Sequence, residues 1–533
     1  MKLKRITALI LAVLMLLALC ACEATEPIDD YVDGQGAGKD LGTISAADDI
    51  FTVNCNKGYS FNPLVATNTN NQLVCNLVYE NIVELDNNYN VLPNVATSWE
   101  TTDGQNWVFH VDTERYFHDG SKMTAADIAY SVKCAVNSDR FRGRFSYVYG
   151  CSAADENTFV VYLGKPNMMF PMLLCIPIIK SGSYNDSYPQ GTGPYTYTED
   201  YSKLVAFEKY PGYGKLPVDT IYLSEYSGGV ETISAFEDSL IDVVMNDPTA
   251  PTNLGYGTAN EIRGFNTTNF HYVGFSSYST IFSYDAMRLA MSYAFDRDYL
   301  KAQMGGFAEP TAIPVNPACP WYDKELNSQY TYNLDVCRNI FKTLGFDDFD
   351  QDGYYEMKSG DSYTEVNIRF LVCADSGTKV NVARKFAQDM DSMGIQVTLL
   401  EYTWKAYQEA IEAGNFDMFY AETRVNPDFD MSRIIASGGA LNYGQWYSDK
   451  VDNAIAAYLQ SDDENRAAAC RDMCTTITGG GYIIPLCFEK HQMITHRGVI
   501  IGVKVNENNP LMNVANWQIS FSGYNADGEK KTD

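Results

Sequence analysis

One stretch decides what the rest of this chain can be. Residues 6–19 (ITALILAVLMLLAL) form an uninterrupted apolar run behind a basic start, MKLKR. Fourteen residues at the helical rise cannot cross a hydrocarbon core, whereas a basic start and a short apolar stretch make a signal-peptide leader. The most apolar later stretch, Met168–Ile179, has twelve residues and is broken by Pro171 and Pro177. No segment after the leader therefore reads as a membrane span. The chain beyond the leader is expected to be an exported globular body.

The end of the leader, Leu19-Cys20-Ala21-Cys22, resembles a bacterial lipobox, in which a small residue precedes the lipidated cysteine. Ala21 satisfies that rule and Leu19 does not, so cleavage is expected after Ala21, with diacylglycerol on Cys22. A plain secretory signal with incidental cysteines is the alternative. Residues 22–47, acidic and glycine-rich, read as a flexible tether behind the lipid. The expected location is the outer face of the cytoplasmic membrane, facing the periplasm if a second membrane is present.

Charge removes whole classes of partner. The 533 residues carry 67 Asp+Glu against 39 Lys+Arg, a formal charge of −28 that becomes −31 once Lys2, Lys4 and Arg5 leave with the signal. Such a surface repels nucleic acid and anionic lipid alike, so any membrane link should be covalent. The length suggests about three domains or one multi-lobed unit. Setting aside Cys20 and Cys22 leaves eleven of thirteen cysteines, an odd and scattered set that reads as reduced core residues.

From Ile50 the chain alternates strand-like and helical pieces. Alternation predicts strands at 51–55, 106–112, 365–373 and 395–401. Helical spacing predicts helices at 69–84, 284–294, 335–344, 379–392 and 404–413. Thr124 and Asp127 form a capping box that opens a helix running to about Val136. Gly191-Thr-Gly-Pro-Tyr195 is a turn entering a strand. The fold class is α/β.

Catalytic patterns fail when tested. The five histidines make no HExxH, and there is no GxSxG elbow or recognisable cysteine-protease signature. GQGAGKD in the tether is not a phosphate loop, because Asp33 replaces its first glycine and Asp40 its Ser/Thr. Asp348-Phe-Asp350-Gln-Asp352-Gly353 opens like an EF-hand loop, but the twelfth position, where calcium takes a bidentate Glu, is Ser359. A polar turn before a strand is the expectation there. No metal and no cofactor are expected.

Several segments taken in order resemble the family 5 extracellular solute-binding proteins of bacterial ABC importers, receptors for oligopeptides, dipeptides and nickel. Residues 77–132 carry Pro93-Asn-Val-Ala96-Thr-Ser-Trp99, Phe117-His118-Asp119-Gly120 and Thr124-Ala-Ala-Asp127. GTGPY (191–195), MRLAMSYAFDRDYL (287–300), LGFDDFDQDGYYE (344–356) and residues 394–420 come after them in family order. The resemblance implies a two-lobed fold of the type II periplasmic-binding-protein kind, with an additional domain and a hinge between lobes. On that basis residues 48–80, 190–270 and 480–533 form lobe I, 81–189 the extra domain and 271–479 lobe II. It also implies a non-enzymatic, monomeric receptor that captures an oligopeptide or similar ligand between the lobes and delivers it to an ABC permease. An oligosaccharide receptor of the same fold is the alternative, and an exported hydrolase is the competitor from another class.

Phe117–Gly120 and Asp296-Arg297 are read as scaffold. The ligand is expected near Trp404, Tyr420, Glu422, Arg424 and Asn426. Trp404 matches a pocket tryptophan of peptide-binding relatives, although a tryptophan packing its helix onto the core would look the same. Those relatives place an Asp for the ligand's α-ammonium where this chain has about Asn426. Arg424 offers a planar fork for a carboxylate, unless it is tied up by Glu422 or Asp428.

Overall fold

Two long strands organise the molecule. In the computed structural model, which describes residues 50–519 except 251, 252, 254, 257–259, 360 and 361, Asn260–Phe275 runs antiparallel to Ile483–His496. The expected signal peptide, Cys22 and the tether lie outside the described residues, which all fall in one compact unit, residues 43–533. Flanking one side of the long pair are Met418–Arg424, Asn367–Cys373 and Gln396–Tyr402, in that order. Flanking the other are Val243–Asn246, Phe51–Cys55, Thr220–Glu225, Lys203–Ala206 and Tyr195–Tyr197.

The halves of this sheet join through the long pair alone. Asn260–Asn266 pairs with Lys490–His496 beside Val243–Asn246, and Phe270–Gly274 pairs with Ile483–Phe488 beside Met418–Arg424. Between them, at Asn266 to Phe270, the register shifts. A bulge of this kind bends and twists a strand locally. The expected lobe boundary at 270/271 falls inside the first long strand, and that at 479/480 just before the second. Phe51–Cys55 and Asn367–Cys373 each pair in parallel with both neighbours, and Phe51–Cys55 is buried along its whole length. A parallel strand between two neighbours is covered on both faces, so even its polar Asn54 is buried, with the side-chain amide donating to the Tyr226 carbonyl at 3.1 Å.

A separate four-stranded antiparallel sheet is ordered Ala96–Glu100, Asn106–Val111, Thr158–Leu163, Val148–Ala153. Trp107, Phe109 and Phe159 stack in its core, and Phe170 meets Phe109 edge-on. Helix Ala125–Asn137 packs on it, opened by the expected capping box, with the Thr124 N–H donating to Asp127 Oδ2 at 3.0 Å.

The helix expected over 69–84 differs. It spans Thr69–Val78, and Tyr79 is already extended. The Val78 carbonyl accepts the Gly193 N–H at 2.9 Å, and the Tyr79 hydroxyl donates to the Pro189 carbonyl at 2.8 Å. Contact with the Gly-Thr-Gly turn stops a helix whose apolar pattern would have carried it further. The eleven cysteines from Cys55 to Cys487 are free thiols, and all but Cys134 are buried. Among the described residues no helix is long and apolar enough to cross a membrane.

Candidate functional site: a cleft with both signs of charge

A cavity of about 490 Å³ opens where three parts of the chain meet. Its walls include Gln72 and Asn76 of helix Thr69–Val78, Asp247 after strand Val243–Asn246, and His491 of the second long strand. Glu507, Arg140, Arg144 and Arg424 complete its charged lining.

Arg140 and Arg144 sit on a turn after helix Ala125–Asn137. Ser138 ends that helix, and its hydroxyl accepts the Phe141 N–H at 3.2 Å. Phe141 is then placed between the two guanidiniums, 4.9 Å from Arg140 and 5.4 Å from Arg144, close enough for cation–π contact with both. Arg140 donates to the Pro63 carbonyl at 2.5 Å, and Arg144 to the Cys175 carbonyl at 3.2 Å. Neither arginine has a carboxylate partner among the described residues. Desolvation by the surrounding walls, with Arg424 and Arg144 adding repulsion, pulls the Arg140 guanidinium down to about 10, and Arg144 is lowered by the same desolvation. Arg140 is still charged at neutral pH. The pair carries its charge into the cavity, with fork donors open to an anion.

Arg424 reaches the same space from the end of strand Met418–Arg424, held by the pairing of Asn269 with Arg424. Its Nε lies 3.3 Å from Glu507 Oε1 and 3.4 Å from Asn269 Oδ1. The side chain remains 60% exposed, whereas Glu507 is 11% exposed and also accepts the Thr268 N–H at 2.9 Å.

Acidic groups collect around His491. Its Nε2 is 3.6 Å from Asp247 and 3.4 Å from Glu489. Burial alone would lower this imidazole, but Glu489, Asp247 and Glu507 together raise it. Burial likewise opposes the charge on Glu489, yet His271 and His491 hold its carboxyl well below the usual range. Glu489 accepts from His271 at 2.9 Å, Asn269 at 2.8 Å and Thr249 at 3.1 Å.

The structure distributes the expected site residues along this network. Arg424 lines the cavity, and its acidic partner is Glu507 rather than Glu422 or Asp428. Tyr420 is buried behind it, with its hydroxyl 3.1 Å from His271 Nδ1. Glu422 is 2.7 Å from Lys379 and 3.8 Å from His271. Trp404 is 55% exposed and stacks on Tyr407, whose hydroxyl donates to the Tyr420 carbonyl, but it is not a lining residue of the cavity. Asn426 is half-buried, its carbonyl accepting the Phe429 N–H, and it also lies outside the lining.

Arg140, Arg144, Asp247 and Glu507 were missed by sequence reasoning. One signal pointed to the two arginines: RFRGR (140–144) places three arginines in five residues of a chain with charge −28. Only Arg142 is neutralised locally, by Asp139 at 3.1 Å. Two groups near the cavity have the composition of a metal site, His271/Glu422/Glu489 and Asp247/Glu489/His491. In the first, the Lys379 ammonium already occupies the cationic position against Glu422.

Comparison with known proteins places this geometry. The family model "Bacterial extracellular solute-binding proteins, family 5 Middle" matches residues 90–442. The oligopeptide-binding protein AppA of Bacillus subtilis is 23% identical over 505 residues, covering 87% of this chain and 88% of AppA. The crystal structure of that AppA with a nonapeptide superposes with a TM-score of 0.61 at 18% identity, covering 88% of this chain and 98% of AppA. The ABC transporter substrate-binding protein CtaP of Listeria monocytogenes gives 0.71 at 16% identity, covering 88% and 99%. The fold is thus the two-lobed α/β architecture of the type II periplasmic binding proteins. The chain belongs to the family 5 bacterial extracellular solute-binding proteins.

Proposed function

We propose that this protein is a lipid-anchored receptor that captures a short peptide in the charged cleft, closes on it and delivers it to an ABC permease. The family consists of substrate-binding receptors of ABC importers rather than enzymes. A peptide reading is supported by AppA, whose name and nonapeptide complex describe such a ligand. The observation that carries it here is the pair Arg140 and Arg144, two guanidiniums on the cavity wall with carbonyl partners but no carboxylate. A planar fork is the donor best matched to a carboxylate, and two of them with Arg424 suit the free carboxyl end of a peptide. Asp247 and Glu507 suit its ammonium groups.

The cavity draws on all three expected parts: Asp247, His491 and Glu507 from lobe I, Arg140 and Arg144 from the extra domain, and Arg424 from lobe II. Ligand sites favour such junctions, and closure buries the ligand from water. The shift at Asn266–Phe270, where two strands alone link the sheet halves, is the proposed hinge. Cys22 is the proposed anchor, with a monomer standing off the membrane on residues 23–47.

Mass spectrometry tests both ends of this reading on protein isolated gently from its own membrane. Under native conditions the wild type should carry adducts that fragment as peptides, and the Arg140→Ala/Arg144→Ala variant should lose most of them. Denatured, the mature chain should begin at Cys22 with a diacylglycerol mass. Adducts retained by the double variant would sink the proposed cleft chemistry, and peptides degraded by the pure protein would sink the receptor reading.

A further inference from the structure

Residues 348–355 form the polar turn before a strand that the sequence predicts, and their acids converge. The turn links strand Phe346–Asp347 to strand Glu356–Ser359, which pair antiparallel with Asp347 opposite Glu356. The positions an EF-hand uses first are filled by Asp348, Asp350 and Asp352, and Gly353 takes the sixth, where a sharp turn is needed. Gly353 has φ +102° and Gln351 φ +68°, so the loop curls tightly. The chain that continues from this turn returns Glu356, the ninth position, to the same point. One carboxylate oxygen from each of the four residues lies within 4.8 Å of one from each of the others.

Burial sets this cluster apart from ordinary surface acids. Glu356 is only 2% exposed; its Oε2 accepts the Phe349 N–H at 2.8 Å, while its Oε1 is sealed from solvent and has no hydrogen-bond donor. Asp348 repeats the pattern, with Oδ2 accepting the Gly353 N–H at 3.0 Å and a buried Oδ1 without a donor. None of the four carboxylates is in an ion pair with Lys or Arg among the described residues. Sealed anionic oxygens without donors are costly, and a cation bound among them removes the cost.

We infer that this loop binds a calcium ion, with Asp348, Asp350, Asp352 and Glu356 as carboxylate ligands. All the donors are hard oxygens, which excludes a site built for zinc or copper. Oxygens on opposite sides of calcium lie roughly 4.6–5.2 Å apart, twice the metal–oxygen distance, and the observed spacing falls within that reach. Glu356 replaces the missing acid at Ser359 from three positions earlier. With that bidentate ligand absent, affinity should be that of extracellular calcium modules, with Kd on the order of 10⁻⁴–10⁻³ M.

The site is structural and separate from the ligand cleft, because no loop residue lines the cavity. The Tyr355 N–H donates to the Gly394 carbonyl at 2.7 Å, and the Tyr354 hydroxyl lies 3.3 Å from Asp391, at the end of helix Gly377–Asp391. A bound ion would brace the hairpin against that helix.

Calorimetric titration of calcium chloride into the full chain, stripped with a chelator and held in detergent, tests this with magnesium chloride as control. One saturable calcium site in the stated range is expected, with a rise in melting temperature that equal magnesium does not match. Glu356→Gln and the exposed Asp350→Asn should each weaken calcium at least about tenfold, the loss seen even for residues behind a metal ligand. Asp350→Asn should leave the calcium-free melting temperature unchanged or raised, since it relieves repulsion. No saturable binding up to about 10 mM, ten times the weak end of that range, or binding that survives both substitutions, would overturn the inference.

Discussion

An added Cβ at Gly193 would sit 2.5 Å from the Val78 carbonyl carbon and 2.8 Å from the Tyr79 nitrogen, and one at Gly191 2.2 Å from the Val78 oxygen. The Gly-Thr-Gly turn is therefore closed to larger residues by a backbone that cannot swing aside. Gly193→Ala should lower unfolding free energy by about 2–3 kcal/mol in denaturant titrations; an unchanged midpoint would refute this packing. His118 locks the same turn, its N–H donating to the Gly191 carbonyl and its Nε2 lying 3.1 Å from the Gly193 carbonyl. Burial pushes this imidazole down to about 4. Between that value and the ordinary 6.5, the unfolded chain binds more protons than the folded one, so stability is lost as pH falls through this window. In His118→Asn the fall from pH 6.5 to 4 should be shallower by about 2 kcal/mol, allowing for the ring's partial exposure. A parallel pH profile for the two proteins would contradict it. Sequence alone marked Phe117–Gly120 as scaffold and GTGPY as a turn entering a strand, but not that they clasp each other. It singled out Arg424 and passed over Arg140 and Arg144, because a guanidinium in a turn has no period. Their setting is made by Pro63, Leu173 and Cys175, far away in the chain.

Helices with a strong amphipathic period were legible almost to the residue. Leu334–Thr343, Trp404–Ala413 and Gly377–Asp391 lie within two residues of expectation. The exception, the helix that stops at Val78, was cut short by a tertiary contact that no local window contains. The order of strands in the sheet, and the bulge between its halves, were likewise invisible, since pairing partners such as Asn260 and His496 lie 236 positions apart. Arg297 shows what holds one element to another. It is buried at the start of helix Arg297–Gln303 and donates to the carbonyls of Thr311, Pro485, Ser292 and Tyr330. Arg297→Leu would leave those acceptors unpaired and should cost about 3 kcal/mol of stability. Thermal unfolding within a degree of wild type would refute this role.

At the scale of the whole molecule, a formal charge of −28 encloses a cleft whose wall is locally positive at Arg140, Arg144 and Arg424. Under the proposed function, net charge sets standoff from an anionic surface, while the local field of the cleft reads the ligand. In the proposed function this field reads a terminal carboxylate. Calorimetric titration of a co-purified peptide, as the free acid and as its C-terminal amide, tests it most directly. The amide should bind wild type at least tenfold more weakly, about 1.4 kcal/mol, and Arg140→Ala/Arg144→Ala should bind the two forms alike. Equal affinity of wild type for acid and amide would contradict it.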